Sequence, residues 1–511
     1  MSDWTEGYRA ELDYTYGYYA EMNPMRVKLA FLNQGLAFPE MRNACELGFG
    51  QGVSINIHAA ASPTKWFGND FNPAQAGFAR DLASSIENHV ELTDESFLEF
   101  CRRDDLPEFD FIGVHGIWSW ISDENRTIIV DFLRRKLAVG GVLYISYNTL
   151  PGWSNFAPMR HLLSQHSQTM GADGIGIKNR MESAFAFADQ LLAVNPGILR
   201  ALPAMAERLD KVKQQNRNYL AGEYFNHHWY PMYYSSMAEW LKPAKLNYAC
   251  SAHYIDHIDG VNFSEPQQKL LSEIGDLTFR ETVRDFIMNQ QFRRDYWIKG
   301  ARRLSPADQW ARLRQQRVVL TVPRSDVLMK VNGALGSADM HADVYTPILD
   351  IMADYKPMLI SQLEVALAGR GLEIRQIIQA LMVLIGNGSA ALAQDDATTA
   401  RMKKSTARLN AHICRAAHGS TELAFLASPL TGGGIAVNRF QQLFLAAISQ
   451  GRKQPTEWAQ YVLDVLMPQG QRIIKEGKTL ETIEENRAEL EAQAEAASTK
   501  TIPLLKALQV I

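Results

Sequence analysis

Asn43-Ala44-Cys45-Glu46-Leu47-Gly48-Phe49-Gly50-Gln51-Gly52-Val53 is the stretch that decides the fold. Asn43–Leu47 reads as a short buried strand, Gly48–Gly52 as a glycine-rich turn, and Val53–Ala61 as a helix. Glycines at such a turn let the backbone reverse sharply and let a ligand approach where a Cβ would clash. The helix behind them offers unpaired N–H groups and the positive end of its dipole. The alternation continues downstream. Lys65–Asp70 is a second strand, Pro73–Glu87 a helix, and His89–Thr93 a third strand. Phe109–Val114 is a fourth strand, Asp123–Leu137 a long amphipathic helix ending at Gly140-Gly141, and Val142–Tyr147 a fifth strand. Strands alternating with helices through short connections predict an α/β fold with a doubly wound parallel sheet.

The chain has 511 residues, 52 Lys+Arg against 56 Asp+Glu, 46% hydrophobic and 21% charged residues. That composition excludes a disordered scaffold, a fibre and a small disulfide-stapled module. A net charge of −4 creates no global field for nucleic acid or anionic lipid. Cys45, Cys101, Cys250 and Cys414 stand far apart, without a CxxC pair, so neither a metal site nor a redox pair is expected. The first residues, Met1–Glu6, lack the basic region and apolar stretch of a secretory signal. No apolar run approaches the ~18 residues of a membrane span. A cytoplasmic protein is the expectation.

Around the sheet the chain divides into further segments. Residues 1–155 form the core with a tyrosine-rich, helical N-terminal segment, in which Asn23-Pro24 starts a helix. Residues 156–231 read as helices inserted as a lid or dimerisation region. Residues 232–325 hold a helix at Met232–Leu241 and strands at Lys245–Ser251 and Arg317–Val322, which either complete the same sheet or belong to a separate domain. In 326–400, helices at Val344–Met352, Ile360–Leu367 and Glu373–Ile385 and a Gly386-Asn387-Gly388 turn into Ala390–Ala393 resemble a winged helix. The helix in the recognition position carries one cation, Arg375, too few for a DNA reader, so a structural or protein-contact role is favoured. Residues 401–511 are mostly helical, with a loop at Ser428–Gly434 and a Glu-rich, solvated helix at Thr482–Ala497.

The glycine loop narrows the chemistry. A dinucleotide fingerprint counted from Gly48 and Gly50 needs a third glycine where Val53 stands, and a phosphate loop needs a Gly-Lys-Ser/Thr that is absent. What remains is E-x-G-x-G-x-G over Glu46, Gly48, Gly50 and Gly52. This resembles the first motif of class I S-adenosylmethionine-dependent methyltransferases. The resemblance implies that Glu46 lies near the ammonium of the cofactor's methionine part. Asp70, at the tip of the second strand beside Phe71, is suited to accept both ribose hydroxyl protons. Asn72 before Pro73 is better placed than Asp70 to cap the following helix. After the third strand, Ser96 and Phe97 match the residues that flank adenine, with Asp94 or Glu95 reaching its amine, although Ser96 also suits a helix N-cap.

His115, Gly116 and Trp118 follow the fourth strand, at the carboxyl ends where ligands bind in such sheets. His115 either takes a proton from an acceptor amine or contacts the cofactor through its backbone. Ser146–Trp153 follows the fifth strand, and Tyr147 and Asn148 join His115 as catalytic candidates. Tyr18, Trp118, Tyr147 and Trp153 are candidate aromatic walls, which would hold a methylated ammonium by cation–π attraction.

The resemblance extends over most of the chain. Tyr14–Tyr19, Glu46–Gly52, His115–Trp120 and Ser146–Trp153 are similar to bacterial methyltransferases that carry a methyltransferase regulatory domain. Leu277–Glu281 with Asp285-Phe286, Asn289 and Phe292–Arg294 resembles that domain's signature, and Ala427–Pro429 with Gly432–Gly434 its C-terminal region. The group includes rickettsial protein lysine methyltransferases, so the resemblance implies lysine methylation and a homodimer. The fourth strand lacks the Asn/Asp-Pro-Pro-Tyr motif of DNA and glutamine-amide methyltransferases, which argues against amide and exocyclic nitrogens. A small-molecule or glycan acceptor, and a non-catalytic cofactor sensor, are the competing expectations.

Overall fold

The computed structural model describes residues 15–87, 90–170, 174–226 and 228–511. Tyr14, His89 and the Met1–Glu6 stretch lie outside the described residues. Helix α1 (Pro24–Asn33) starts where Asn23 Oδ1 accepts the Met25 N–H and Pro24 takes the first turn. Residues 15–19 are not helical, contrary to the expectation for the N-terminal segment; they run in irregular extended form into a 3₁₀ turn at Ala20–Met22.

Strand β1 (Asn43–Leu47) leads to α2 (Val53–Ala61), β2 (Lys65–Asn69) to α3 (Pro73–Ala83), and β3 (Val90–Thr93) to α4 (Phe97–Arg102). Strand β4 (Phe109–Val114) is followed by α5 (Asp123–Lys136) and β5 (Leu137–Asn148). The caps are local: Asn72 accepts from Ala74, Ser96 and Glu99 form a reciprocal box, and Ser122 accepts from Asn125. Gly140-Gly141 falls inside β5, not at the end of α5.

The sheet has seven strands in the order β3-β2-β1-β4-β5-β7-β6, where β6 is Leu246–Ser251 and β7 is Phe292–Lys299. The first five run parallel, and β7 lies antiparallel between β5 and β6. The strand at Arg317–Leu320 does not enter this sheet. It pairs with Met358–Leu359 and Ala390–Ala393 in a separate three-stranded sheet. β7 was not legible as a strand, because Phe292-Arg293-Arg294-Asp295 carries three consecutive charges that read as surface.

Side chains alternate across the sheet as the pleat demands. Cys45, Leu47, Ile112, Leu143, Ile145 and Trp297 pack on one face with Phe132, Leu133 and Leu241. Ala44, Phe111, Val142, Tyr144 and Tyr296 pack on the other with Phe31, Leu381 and Leu384. The second face therefore shares one core with residues from the 342–393 segment. Helices Ala157–Thr169 and Ile177–Ala193 build a small core of their own. All four cysteines are free and buried. Among the described residues no helix is long and apolar enough to cross a membrane, and no cluster of three potential metal ligands occurs.

Candidate active site

A cleft of about 1040 Å³ opens at the carboxyl ends of β1, β2 and β4. Its floor is the glycine loop. Gly48 and Gly52 have φ of +66° and +67°, and a Cβ on Gly48 would fall 2.5 Å from Ile117 Cδ1. Both the backbone conformation and the space thus require glycine. Gly52 also stands at the N-cap of α2 without a side chain to satisfy the helix N–H groups, which leaves a donor-rich, positive end beside the cleft.

Glu46 is 2% exposed, and its Oε2 meets no hydrogen-bond donor among the described residues. Burial, and then the neighbouring Asp70 charge, push its carboxyl well above the ordinary range. A buried carboxyl oxygen without a donor is costly, and a cationic ligand group would relieve it. Asp70 accepts from the Gly50 N–H at 2.8 Å and the Asn72 N–H at 3.0 Å. Burial nevertheless raises it to about 6. Its bonds hold the glycine loop against the end of β2, and each oxygen keeps lone-pair capacity for a ligand hydroxyl.

Gly48, Gly50, Gly52, Glu46, Asp70, Phe71, Ser96, Phe97, His115 and Gly116 all line this cleft. Ser96 is at the same time the N-cap of α4. Asp94 and Glu95 do not reach in, because Arg80 and Arg103 bind them.

Five expected residues lie elsewhere, and strand or turn parity explains most of them. In the extended segment 15–19, Thr15, Gly17 and Tyr19 face the cleft. Tyr18 faces away and packs on His58 and Phe425. Trp118 is fully buried, its Nε1 donating to Met232 Sδ, and Trp120 lines the cleft in its place. Tyr147 points to the far face of β5 and donates to Asp295. Asn148 Oδ1 is taken by Trp153 Nε1, and Trp153 packs with Tyr224 and Trp229 in the helical insertion. Tyr19, Trp120 and Asn125 were missed. The only signal was alternation along the tyrosine run, and its phase is invisible without the fold.

His115 is stacked under Tyr19, with ring centroids 3.5 Å apart, and its Nδ1 lies 2.7 Å from Tyr144 Oη. Burial lowers its pKa to about 4, so the ring is neutral at physiological pH. Burial likewise raises Tyr19 to about 12. This pair forms a wall with a second chamber behind it, of about 1500 Å³. Phe292, Leu392, Phe425 and Ile435 line that chamber, and Glu21, Arg26 and Arg294 are its carboxyl and guanidinium side chains among the described residues. Glu21 pairs with Arg294 at 2.6 Å. Arg26 donates to the Ile385 carbonyl and covers the Tyr254 ring.

The parallel strands, with the bare-backbone loop and two carboxyls at their carboxyl ends, have the architecture of a class I methyltransferase fold. A family model described as a predicted methyltransferase regulatory domain matches residues 216–299, the segment that supplies β6 and β7. The uncharacterized protein sll1526 of Synechocystis sp. is 41% identical over 512 residues, covering 99% of either chain. The uncharacterized protein RP789 of Rickettsia prowazekii is 26% identical over 294 residues, 54% of this chain and 49% of that one. PKMT2 from Rickettsia typhi, solved in complex with AdoHcy, superposes with a TM-score of 0.68 at 17% identity, covering 96% of this chain and 99% of that one. The chain belongs to one family with the Synechocystis protein, and its fold is that of PKMT2.

Proposed function

We propose that the protein methylates a nitrogen nucleophile, the side-chain amine of lysine in a protein, by direct in-line transfer. The observation that carries the cofactor half of this reading is the buried, unsatisfied Glu46 carboxyl beside a loop that has no room for side chains. In this reading Glu46 ionises as it accepts the cofactor's ammonium, Asp70 accepts the ribose hydroxyls, and Phe97 covers the adenine. S-adenosylmethionine, when bound, supplies an electrophilic methyl on a sulfonium, so this chain needs no covalent nucleophile. Its residues align the acceptor, exclude water and take up a proton.

The acceptor half rests on the wall shared by cleft and chamber. His115 is assigned the tautomer in which Nδ1–H donates to Tyr144 Oη, leaving the Nε2 lone pair for the acceptor's proton. The chamber's apolar lining and its two guanidinium groups disfavour a lysine ammonium and so promote its deprotonation. The likeness to PKMT2 supports a protein acceptor. The helices of 156–231, with Phe187 and Val194 exposed, are the proposed dimer surface, and the 342–393 segment is proposed to have a structural role, as its helix Ile374–Gly386 is buried in the core shared with the main sheet.

A second reading is favoured by one observation. Two guanidinium groups against one carboxylate leave the chamber one positive charge in excess, which suits a small acceptor carrying an anionic group. Incubation with radiolabelled S-adenosylmethionine and cell lysate, separated into protein and small-molecule fractions, distinguishes the two. Label released as methyl-lysine on hydrolysis of the protein fraction is the expected result. Label only in small molecules would replace the lysine reading, and no binding of S-adenosylhomocysteine in calorimetry would overturn both.

A further inference from the structure

The cofactor cleft does not include the Ala427–Pro429 and Gly432–Gly434 stretches. In the fold they form a hairpin, Phe425–Ser428 paired with Gly433–Ala436. This hairpin grips the N-terminal segment that carries Tyr19. Asn23 Nδ2 donates to the Thr431 carbonyl at 3.1 Å. The Tyr18 ring lies 5.0 Å from that of Phe425. A Cβ on Gly433 would fall 2.4 Å from both Tyr18 Oη and Asn23 Nδ2, and one on Gly434 would fall 3.1 Å from the Tyr18 ring. Neither glycine has a positive φ. Room for Tyr18 and Asn23, not backbone freedom, is what demands glycine there.

The gripped segment is fastened to the cleft on its other side. The Tyr19 N–H donates to Ser54 Oγ at 2.6 Å, on the helix that leaves the glycine loop, and the Tyr19 ring covers His115. Consecutive residues thus face opposite ways, Tyr18 into the hairpin and Tyr19 into the cleft.

We propose that the hairpin 425–436 positions the Tyr19–His115 wall, with Thr431, Gly433 and Gly434 acting as positioning residues through Tyr18 and Asn23. The C-terminal region is then part of the machinery that divides cofactor from acceptor, and not an appended module. This inference rests on the methyltransferase reading for its purpose, though the positioning itself is measurable without ligand.

The test is Gly433→Ala, compared with Val462→Ala, a buried change in the same C-terminal core that alters no residue of the hairpin, Tyr18 or Asn23. Two readouts are taken well below each melting temperature: S-adenosylhomocysteine affinity by calorimetry, and titration of His115 in the unliganded protein by NMR, assigned with H115Q. Overpacking at Gly433 should weaken binding by about ten-fold or more, and should move His115 upward from about 4 as Tyr19 lifts away. V462A should change neither. In a Y18F/N23S background, where serine keeps the helix cap, adding G433A should alter affinity by less than about two-fold. Unchanged affinity and titration in G433A, equal losses in V462A, or an equal loss in the Y18F/N23S background would overturn the proposal. If G433A does not fold, G434A, with its milder contact, takes its place. If the unmodified protein binds no S-adenosylhomocysteine, the methyltransferase reading falls, while the His115 titration still decides the hairpin's role.

Discussion

The cofactor cleft and the chamber behind it share Tyr19 and His115 but are assembled differently. The cleft draws most of its lining from residues 46–125, as loops at the carboxyl ends of neighbouring parallel strands. The chamber takes residues 18–26, Phe292 and Arg294 from the start of β7, 385–392 and the hairpin at 425–436. One is a local product of strand–turn–helix geometry. The other exists only because segments hundreds of residues apart close against the same sheet face. The chemistry divides along the same line. Buried acids with raised pKa mark the cleft, whereas apolar surface and an excess positive charge mark the chamber. On the proposed methyltransferase reading, cofactor identity is a property of the core and acceptor choice a property of the assembly.

The comparison breaks if a change that leaves the shared Tyr19–His115 wall in place disturbs both sides. The largest effect is expected for Glu46→Gln, which should weaken S-adenosylhomocysteine binding by about 2–3 kcal/mol through loss of a charge-assisted bond. Its urea midpoint should hold or rise, because a buried unpaired carboxyl is removed; a lost midpoint would make Glu46 structural. Asp70→Ala should weaken the same binding by about 1–3 kcal/mol, and part of that loss should appear as a loosened glycine loop in hydrogen exchange at Gly50, whose N–H it holds. On the other side, Ala436→Trp, at an exposed position lining the chamber, should leave calorimetric affinity within about two-fold while cutting methyl incorporation into lysate by about ten-fold. Equal incorporation would mean that the acceptor does not use the chamber.

The smallest effect is a pH dependence. A carboxyl whose folded pKa is raised supports the fold fully below its unfolded value and loses that support as pH rises through the folded one. For Asp70 the window runs from 3.8 to about 6. The urea midpoint of the unliganded protein should therefore carry a falling contribution across that window that Asp70→Asn lacks. An identical pH profile in both proteins would show that Asp70 titrates normally.

Most of the core was legible. Asn43–Leu47, Val53–Ala61 and Phe109–Val114 are delimited by glycine, proline and charge, and appear with those bounds. Asp70, Phe71 and the glycine loop carry their own signals in spacing and residue type. β7 was hidden because its charges are buried: Arg293 is held by Glu281, Asp285 and Asp295, a network that only tertiary contact can satisfy. Tyr18, Trp118, Tyr147, Asn148 and Trp153 have the right composition for a site wall and the wrong direction.

The sequence by itself determined the doubly wound core, the glycine loop without room for side chains, and the two acids beside it, because each depends on neighbours within one strand–turn–helix unit. The tertiary structure decided which tyrosine faces the cleft, which strands complete the sheet, and that a C-terminal hairpin braces the wall. Those outcomes turn on the phase of alternating side chains and on the closure of distant segments, and neither is encoded in any short window of residues.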